Sequence, residues 1–185
     1  MGQMVSSRKN QPSTADGRDD DALQYLTFTL GGETFALGIL NVKEIIEFGN
    51  ITSIPMTPDF IRGVINLRGA VVPVIDLSAR FGGKTTAISR RTCIVIVELD
   101  ASEGRQDLGV VVDAVNEVLD IPRSEIEPPP TFGARIRADF IQGMGKVDGQ
   151  FVIILSIERV LSTEEIAMLA RIGGDANPGA SSAET

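Results

Sequence analysis

The stretch that decides the fold runs from Gly63 to Leu77 and reads Gly-Val-Ile-Asn-Leu-Arg-Gly-Ala-Val-Val-Pro-Val-Ile-Asp-Leu. Two apolar segments rich in β-branched residues flank Arg68-Gly69, a pattern typical of two strands joined by a tight turn. Pro73 lacks an amide donor, so its strand is expected to lie at a sheet edge or to bulge there. The sequence therefore predicts a β-hairpin with Arg68 exposed at its tip.

The hairpin pattern recurs 80 residues further along the chain. Phe60-Ile61-Arg62-Gly63 aligns with Phe140-Ile141-Gln142-Gly143, and the tip Arg68-Gly69 aligns with Asp148-Gly149. Asp-Gly is itself a strong hairpin signal. Chance could produce part of this match, because hairpins share glycines and alternating Val or Ile. The preferred interpretation is an internal repeat with opposite charges at the two tips.

A segment upstream of each hairpin repeats as well. Residues 42–46 align with residues 115–119 at an offset of 73, and a loop insertion around the prolines at 128–130 accounts for the different offset. A unit of roughly 65 residues buries too little surface to be secure alone, so we expect two units to pack face to face around one core. Closing each sheet into a small barrel would also remove exposed strand edges.

The flanking segments set the domain boundaries. Residues 1–21 are polar with almost no large apolar side chains, and residues 173–185 are similar, so both are expected to be disordered tails. Between them we expect one domain over residues 22–172. Its first half is expected at about residues 31–90 and its second half at about residues 93–161.

One helix is predicted near the end of the domain. Ser162 and Glu165 fit a capping box, and Ile166 and Leu169 follow with the spacing of an apolar helix face. This pattern predicts a short C-terminal helix over residues 163–171. Further strands are predicted at residues 25–30, 34–37, 93–99, 108–112, 144–147 and 150–157.

The composition argues against several classes of function. The chain has no histidine and a single cysteine, which excludes the usual zinc sites and any intramolecular disulfide. A net charge of −8 without a basic run disfavours nucleic acid as a partner. No apolar run reaches the ~20 residues that a membrane helix needs. We therefore predict no catalytic residue, cofactor or metal, no nucleic-acid partner and no direct membrane insertion.

Aspartates near the predicted strand ends leave an enzymatic alternative open. A pair of carboxylates could carry out acid–base chemistry or hold a cation. Aspartate also favours turns through local hydrogen bonds, and that is the preferred interpretation. The four aspartates concerned are Asp76, Asp100, Asp107 and Asp113.

The segment over residues 63–77 closely resembles the signature of the CheW family, as does its lead-in Pro58-Asp59-Phe60-Ile61-Arg62. Phe28-Thr29-Leu30-Gly31 and Leu108-Gly109-Val110-Val111-Val112-Asp113 match in order, and the resemblance covers about residues 23–169. It implies a mainly β fold of two small five-stranded SH3-like barrels packed around a shared hydrophobic core, with a short C-terminal helix.

The resemblance further implies a non-enzymatic adaptor that couples methyl-accepting chemotaxis receptors to the histidine kinase CheA. The implied partners are the cytoplasmic tip of the receptor and the regulatory domain of the kinase. The implied location is the cytoplasm, with recruitment to receptor arrays at the inner face of the membrane. The kinase contacts are expected on barrel ends and loops, without named residues. The alternatives are an enzyme and a small-barrel binding module of another two-component or nucleic-acid-related pathway.

The residues that the resemblance assigns to receptor binding are Val42, Glu44, Gly63 and Arg68. Arg68 at a hairpin tip could pair with a carboxylate on a helix, with a solvated turn residue as the alternative. Val42 and Glu44 are two apart, so on a strand they would share one face, open to a partner helix. The alternative is a core valine beside a solvated glutamate. Gly63 is expected to allow a bulge or a close backbone approach.

Overall fold

The computed structural model describes residues 22–101, 104–129 and 138–175, and its fold is mainly β. Short turns connect most of the strands, as the spread of glycines and prolines along the chain indicates. The strands are β1 (Ala22–Leu30), β2 (Glu33–Gly38), β3 (Val42–Glu47), β4 (Ile61–Leu67), β5 (Ala70–Asp76), β6 (Cys93–Ala101), β7 (Gly104–Val112), β8 (Ala114–Pro122), β9 (Ile126–Glu127), β10 (Ile141–Val147) and β11 (Gln150–Leu155).

These strands form two sheets, each curled towards a barrel. The sheet with strand order β3-β6-β7-β5-β4 is the five-stranded barrel, and the sheet with order β8-β1-β2-β11-β10-β9 is the six-stranded barrel. The chain itself spans the gap between the outer strands of each sheet. After β3 it returns to β4 at the Thr52–Val64 bridge, and after β8 it returns to β10 through β9. The predicted fold of two small β-barrels is confirmed, with the two-residue β9 as a sixth strand.

The two barrels do not coincide with the contiguous halves expected at residues 31–90 and 93–161. Strands β6 and β7 pair with β3 and β5, whereas β1 and β2 pair with β8 and β11. The β1–β2 hairpin of the first repeat therefore lies in the barrel formed by strands β8 to β11 of the second repeat. Conversely, the β6–β7 hairpin of the second repeat lies in the barrel formed by strands β3 to β5 of the first repeat. An alignment of the two repeats identifies equivalent strands but does not show whether a strand pairs within its own repeat or with the other repeat. The barrels therefore cannot be assigned to two contiguous segments of the chain.

The strand registers confirm the internal repeat. The β4–β5 and β10–β11 hairpins have the same pairing pattern, with a register shift just before Gly63 in one and just before Gly143 in the other. The tip residues Arg68 and Asp148 both have a φ of 53°. Because the bulge and the turn recur at an offset of 80, the two hairpins are structural copies.

Alternation along the strands divides the apolar side chains among three cores. On β6, Val95 and Val97 contribute to the core that the barrels share, while Ile94 and Ile96 fill the five-stranded barrel. The six-stranded barrel has its own small core around Ile154. The shared core contains a row of stacked rings, 5.7 to 6.1 Å between neighbouring centroids, formed by Phe28, Phe35, Phe81 and Phe140.

The α-helices of the described residues are α1 (Leu77–Arg80), α2 (Ile157–Val160) and α3 (Thr163–Asp175). Short 3-10 helices cover Ile39–Asn41, Arg123–Glu125 and Ala138–Phe140. The predicted capping box is confirmed, because the Glu165 amide donates to Ser162 Oγ at 3.0 Å and the Ser162 amide donates to Glu165 Oε1 at 2.8 Å. The helix continues past the predicted end at residue 171, so the expected start of the C-terminal tail at residue 173 is wrong. Residues 1–21 and 176–185 lie outside the described residues. No helix in the described ranges is long and apolar enough to cross a membrane.

Pro73 lies neither at a sheet edge nor at a bulge of its own strand, the two positions expected for it. Strand β5 lies between β4 and β7, but its parallel pairing with β7 covers only Val74 to Asp76. Pro73 therefore lies just before the parallel ladder, where its nitrogen, which has no hydrogen, does not have to donate to β7. The irregularity expected at Pro73 occurs on the partner strand, between Ile61 and Gly63.

Candidate functional site

Arg68 and Glu44 form an ion pair that joins opposite edges of the five-stranded barrel. Arg68 Nη1 donates to Glu44 Oε1 at 3.3 Å, and Nη2 contacts the other carboxylate oxygen. The Arg68 side chain is 72% exposed, whereas the Glu44 side chain is largely covered. The hydrogen bond to Glu44 raises the pKa of the Arg68 guanidinium above its ordinary value, so this group stays charged. The pair therefore presents an oriented cation at the surface.

The β4–β5 turn determines how Arg68 is presented. Arg68 and Gly69 have φ values of 53° and 90°, the left-handed conformation at both central positions that a tight hairpin turn requires. Asn66 Oδ1 accepts a hydrogen bond from the Gly69 amide at 3.0 Å, which holds the turn together. The predicted hairpin with Arg68 exposed at its tip is confirmed.

Val42 and Glu44 do not share a face of β3, contrary to expectation. Val42 pairs with Val97 and Glu44 pairs with Ile96, so a bulge at Lys43 adds one residue to β3. Successive residues of a strand point to opposite faces, and the bulge therefore reverses the alternation between Val42 and Glu44. Val42 packs against the shared core, while Glu44 lies on the face of Ile96, towards the interior of the five-stranded barrel.

Gly63 is buried and acts through its backbone. Its φ is 143°, and a Cβ at this position would overlap the carbonyl group of Thr52, with the carbonyl carbon 2.7 Å away. The amides and carbonyls of Thr52 and Val64 form two hydrogen bonds of 2.9 Å beside it. The close backbone approach expected at Gly63 is present. It allows the segment after β3 to close the barrel near Arg68.

The charges next to Glu44 are paired within the sheet. Glu98 and Asp107 lie directly opposite each other on β6 and β7. The bulged Lys43 lies between them, with Nζ at 3.0 Å from Asp107 and 4.0 Å from Glu98. Its hydrogen bond to Asp107 raises the pKa of Lys43. Arg105 also contacts Glu98 at 3.2 Å, so this neighbouring surface is close to neutral.

The six-stranded barrel carries the opposite charge at the matching place. The repeat equivalents of Glu44 and Arg68 are Glu117 and Asp148, both acidic. Two carboxylates cannot form the ion pair seen on the five-stranded barrel. The two barrels therefore present a cationic tip and an anionic tip on similar frames.

The four aspartates of the enzymatic alternative are engaged with separate partners. Asp76 is fully buried and accepts hydrogen bonds from the Thr86 amide at 2.8 Å, Thr86 Oγ1 at 3.0 Å and Arg62 at 3.1 Å. Within the described ranges no group of three or more His, Cys, Asp or Glu side chains is placed to hold a metal ion. The partners of the other three are Arg105 for Asp100, Lys43 for Asp107 and the Gly31 amide for Asp113.

Sequence reasoning missed Ile45 as an exposed apolar residue on the other face of β3. Ile45 lies beside Glu44 on the outer strand β3 and is 42% exposed, although its partner Val95 is buried. Its repeat equivalent, Val118, is exposed to a similar extent. Ile45 follows Glu44 directly and therefore points to the opposite face of β3. The bulge at Lys43 puts it on the same face as Val42, and no feature of the sequence marks that bulge. The recurrence of an apolar residue in both repeats is the available signal.

Known proteins resemble this chain over most of its length. The sequence model of the CheW-like domain matches residues 24–165. The chemotaxis protein CheW of Klebsiella aerogenes is 36% identical over 149 residues, which cover 80% of this chain and 87% of the relative. The protein FrzA of Myxococcus xanthus is 32% identical over 151 residues, covering 80% and 91% of the two chains.

A solved structure has the same fold. The crystal structure of the scaffolding protein TtCheW from Thermoanaerobacter tengcongensis superimposes with a TM-score of 0.69 at 39% identity. The match covers 77% of this chain and 96% of that chain. With two β-barrels that exchange hairpins, a repeated hairpin and these sequence matches over most of its length, the chain belongs to the CheW family.

Proposed function

We propose that the chain is a non-enzymatic cytoplasmic adaptor that couples methyl-accepting chemotaxis receptors to the histidine kinase CheA. Its relatives include proteins named for chemotaxis and for scaffolding, which supports this assignment. The observation that carries the receptor-binding part is the exposed Arg68 guanidinium held by Glu44 on the five-stranded barrel. Recruitment to receptor arrays at the inner face of the membrane follows from such binding.

Arg68 is the residue that contacts the receptor tip in this proposal. Arginine has five N–H donors, and Glu44 accepts from only two of its nitrogens, so donors remain for a carboxylate on a receptor helix. Glu44 orients the guanidinium, which lowers the entropy lost when the receptor binds. Ile45 adds an exposed apolar side chain at the same outer strand, on the face away from the ion pair.

Val42 and Gly63 support the receptor surface from beneath. Val42 packs on the shared core and anchors β3, the strand that carries Glu44. Gly63 admits the Thr52 backbone and thereby holds β4, which leads to Arg68. Both residues are expected to affect receptor binding through the position of the ion pair.

The CheA regulatory domain is expected to contact a different part of the chain. The six-stranded barrel has an acidic tip at Asp148 where the five-stranded barrel has Arg68. Opposite charges at matching tips favour different partners, because like charges repel across an interface. Receptor and kinase would then be held on one rigid frame, and receptor occupancy would bias the kinase through a coupling free energy without chemistry in this chain.

The test is a pull-down with a receptor cytoplasmic tip and, separately, with a CheA regulatory domain. Arg68→Glu is expected to abolish receptor binding and to leave kinase binding intact. Arg105→Glu is the matched control, because Arg105 lies in the same sheet, is 71% exposed and also pairs with a glutamate. The proposal fails if the native chain binds neither partner, or if both variants lose receptor binding equally.

A further inference from the structure

Arg80 lies between the two barrels and makes four directional contacts. Its Nε donates to the Val160 carbonyl at 2.8 Å, and Nη2 pairs with Glu165 at 3.0 Å. Its guanidinium carbon lies 5.0 Å from the centroid of the Phe60 ring and 5.3 Å from that of Phe140. Such cation–π contacts add to the hydrogen bonds, and the side chain is only 20% exposed.

These contacts connect positions that the internal repeat makes equivalent. Phe60 and Phe140 are 80 residues apart, and so are Arg80 and Val160. Phe60 and Arg80 flank the β4–β5 hairpin of the five-stranded barrel, whereas Phe140 and Val160 flank the β10–β11 hairpin of the other barrel. Arg80 therefore lies where the two copies of the repeat meet.

Arg80 also fixes helix α3. Glu165 accepts from Arg80 with the same oxygen that accepts from the Ser162 amide in the capping box. One guanidinium thus joins α1, α2 and the first turn of α3. The rest of the shared core is aliphatic and aromatic packing, which is not directional and leaves the angle between two sheets less well defined.

We infer that Arg80 is a positioning residue that fixes the orientation of the two barrels and of α3 relative to each other. The part that concerns signalling rests on the proposed function. With the orientation fixed, the cationic tip at Arg68 and the acidic tip at Asp148 face their partners at one angle. Without it, each partner still binds alone, but receptor occupancy no longer biases the kinase.

The orientation is tested on the isolated full chain by electron-spin distance measurements. Spin labels are placed at Ala70→Cys and Gln150→Cys, exposed repeat-equivalent positions on the two barrels, in a Cys93→Ala background. Arg80→Met is expected to broaden and shift the distance distribution while strand content by circular dichroism is retained. Arg159→Met, an exposed arginine on α2, is expected to leave the distribution unchanged. An unchanged distribution in a folded Arg80→Met chain would overturn the inference.

Arg80→Lys is the second variant and keeps the positive charge. An ammonium group lacks the planar fork that serves Val160, Glu165 and both rings at once, so broadening is expected here too. A distribution as narrow as in the native chain would show that charge alone suffices and would contradict the inference. If Arg80→Met does not fold, the distance distribution of Arg80→Lys tests the inference in its place.

A reconstituted mixture of receptor, kinase and chain separates this inference from the proposed function. Arg80→Met is expected to bind each partner separately as the native chain does and to lose receptor-dependent stimulation of the kinase. Stimulation at the native level despite a broadened distribution would overturn the signalling part. If the native chain gives no stimulation, the proposed function fails, while the distance result still decides the role of Arg80.

Discussion

Arg68 at the tip of the β4–β5 hairpin forms an ion pair with Glu44 on β3, the strand at the opposite edge of the same sheet. The pair spans the gap that strand pairing leaves open in the five-stranded barrel. An exposed ion pair contributes little to stability in general, so its position matters more than its strength. The main role of the ion pair is therefore to orient Arg68.

Exchanging the charges at positions 44 and 68 distinguishes the orientation of the position-68 side chain by its partner from recognition of its charge by the receptor. In the double variant Glu44→Arg/Arg68→Glu the ion pair re-forms with reversed polarity, so thermal unfolding is expected to match the native chain. Receptor binding is expected to stay lost, because the tip now carries a carboxylate. The measurement is calorimetric titration with a receptor tip. Recovery of binding in the double variant would show that the receptor does not read the charge at position 68.

Gly63→Ala is expected to destabilise the chain by about 2 kcal/mol or more, because its φ of 143° disfavours any side chain and the Thr52 carbonyl occupies the space. Gly69→Ala is the matched control, with a positive φ of 90° but open space around it, and about 1 kcal/mol is expected there. Urea unfolding midpoints measure both. Equal losses would contradict the role assigned to the Thr52 contact.

Asp76→Ala is expected to cost about 3–5 kcal/mol, because it leaves the buried Thr86 amide and the largely covered Arg62 guanidinium without their partner. Asp113→Ala removes one exposed hydrogen bond from the Gly31 amide and is expected to cost about 1 kcal/mol. Both losses are measured as changes in the free energy of unfolding in urea. A small loss for Asp76→Ala with loss of a catalytic turnover would instead revive the enzymatic alternative.

Tyr25 allows a direct test of burial in the six-stranded barrel. Burial raises the pKa of the Tyr25 phenol above 10.0, and the nearby Arg123 opposes this effect. The contribution of Tyr25 to stability is therefore complete below pH 10 and is lost as the pH rises towards the higher folded pKa. The chain has one tyrosine and no tryptophan, so phenolate absorbance reports this group alone. Arg123→Met should raise the pKa further, and folded-state ionisation at or below pH 10 would contradict the burial.

Much of the fold could be predicted because the repeated hairpin carries its own local signals. Arg68-Gly69 and Asp148-Gly149 mark the turns, β-branched residues mark the strands, and Ser162 with Glu165 marks the start of α3. These are short-range effects, and the two turns and the start of α3 are confirmed, whereas the strand predicted over residues 150–157 ends at Leu155. The exchange of hairpins between barrels depends on long-range pairing of β5 with β7 and of β2 with β11, for which the sequence contains no local signal.

The geometry of the candidate site also depends on long-range contacts that the sequence does not mark. The prediction of Arg68 as an exposed tip residue is confirmed, but its partner Glu44 lies 24 positions away and does not share a face with Val42 as the spacing predicts. The bulge at Lys43 reverses the alternation of β3, and bulges depend on the neighbouring strand. No sequence signal marks Arg80, because its contacts form only where the two repeats meet.

The central claim, that one chain bridges receptor and kinase, is tested most directly by retention of a CheA regulatory domain on beads that carry receptor tips. The amount retained is measured as the concentration of the native chain is raised. We predict that retention rises, passes through a maximum and then falls, because excess adaptor occupies receptor and kinase on separate chains. Retention that is the same without the chain, or that does not respond to its concentration, would contradict the account.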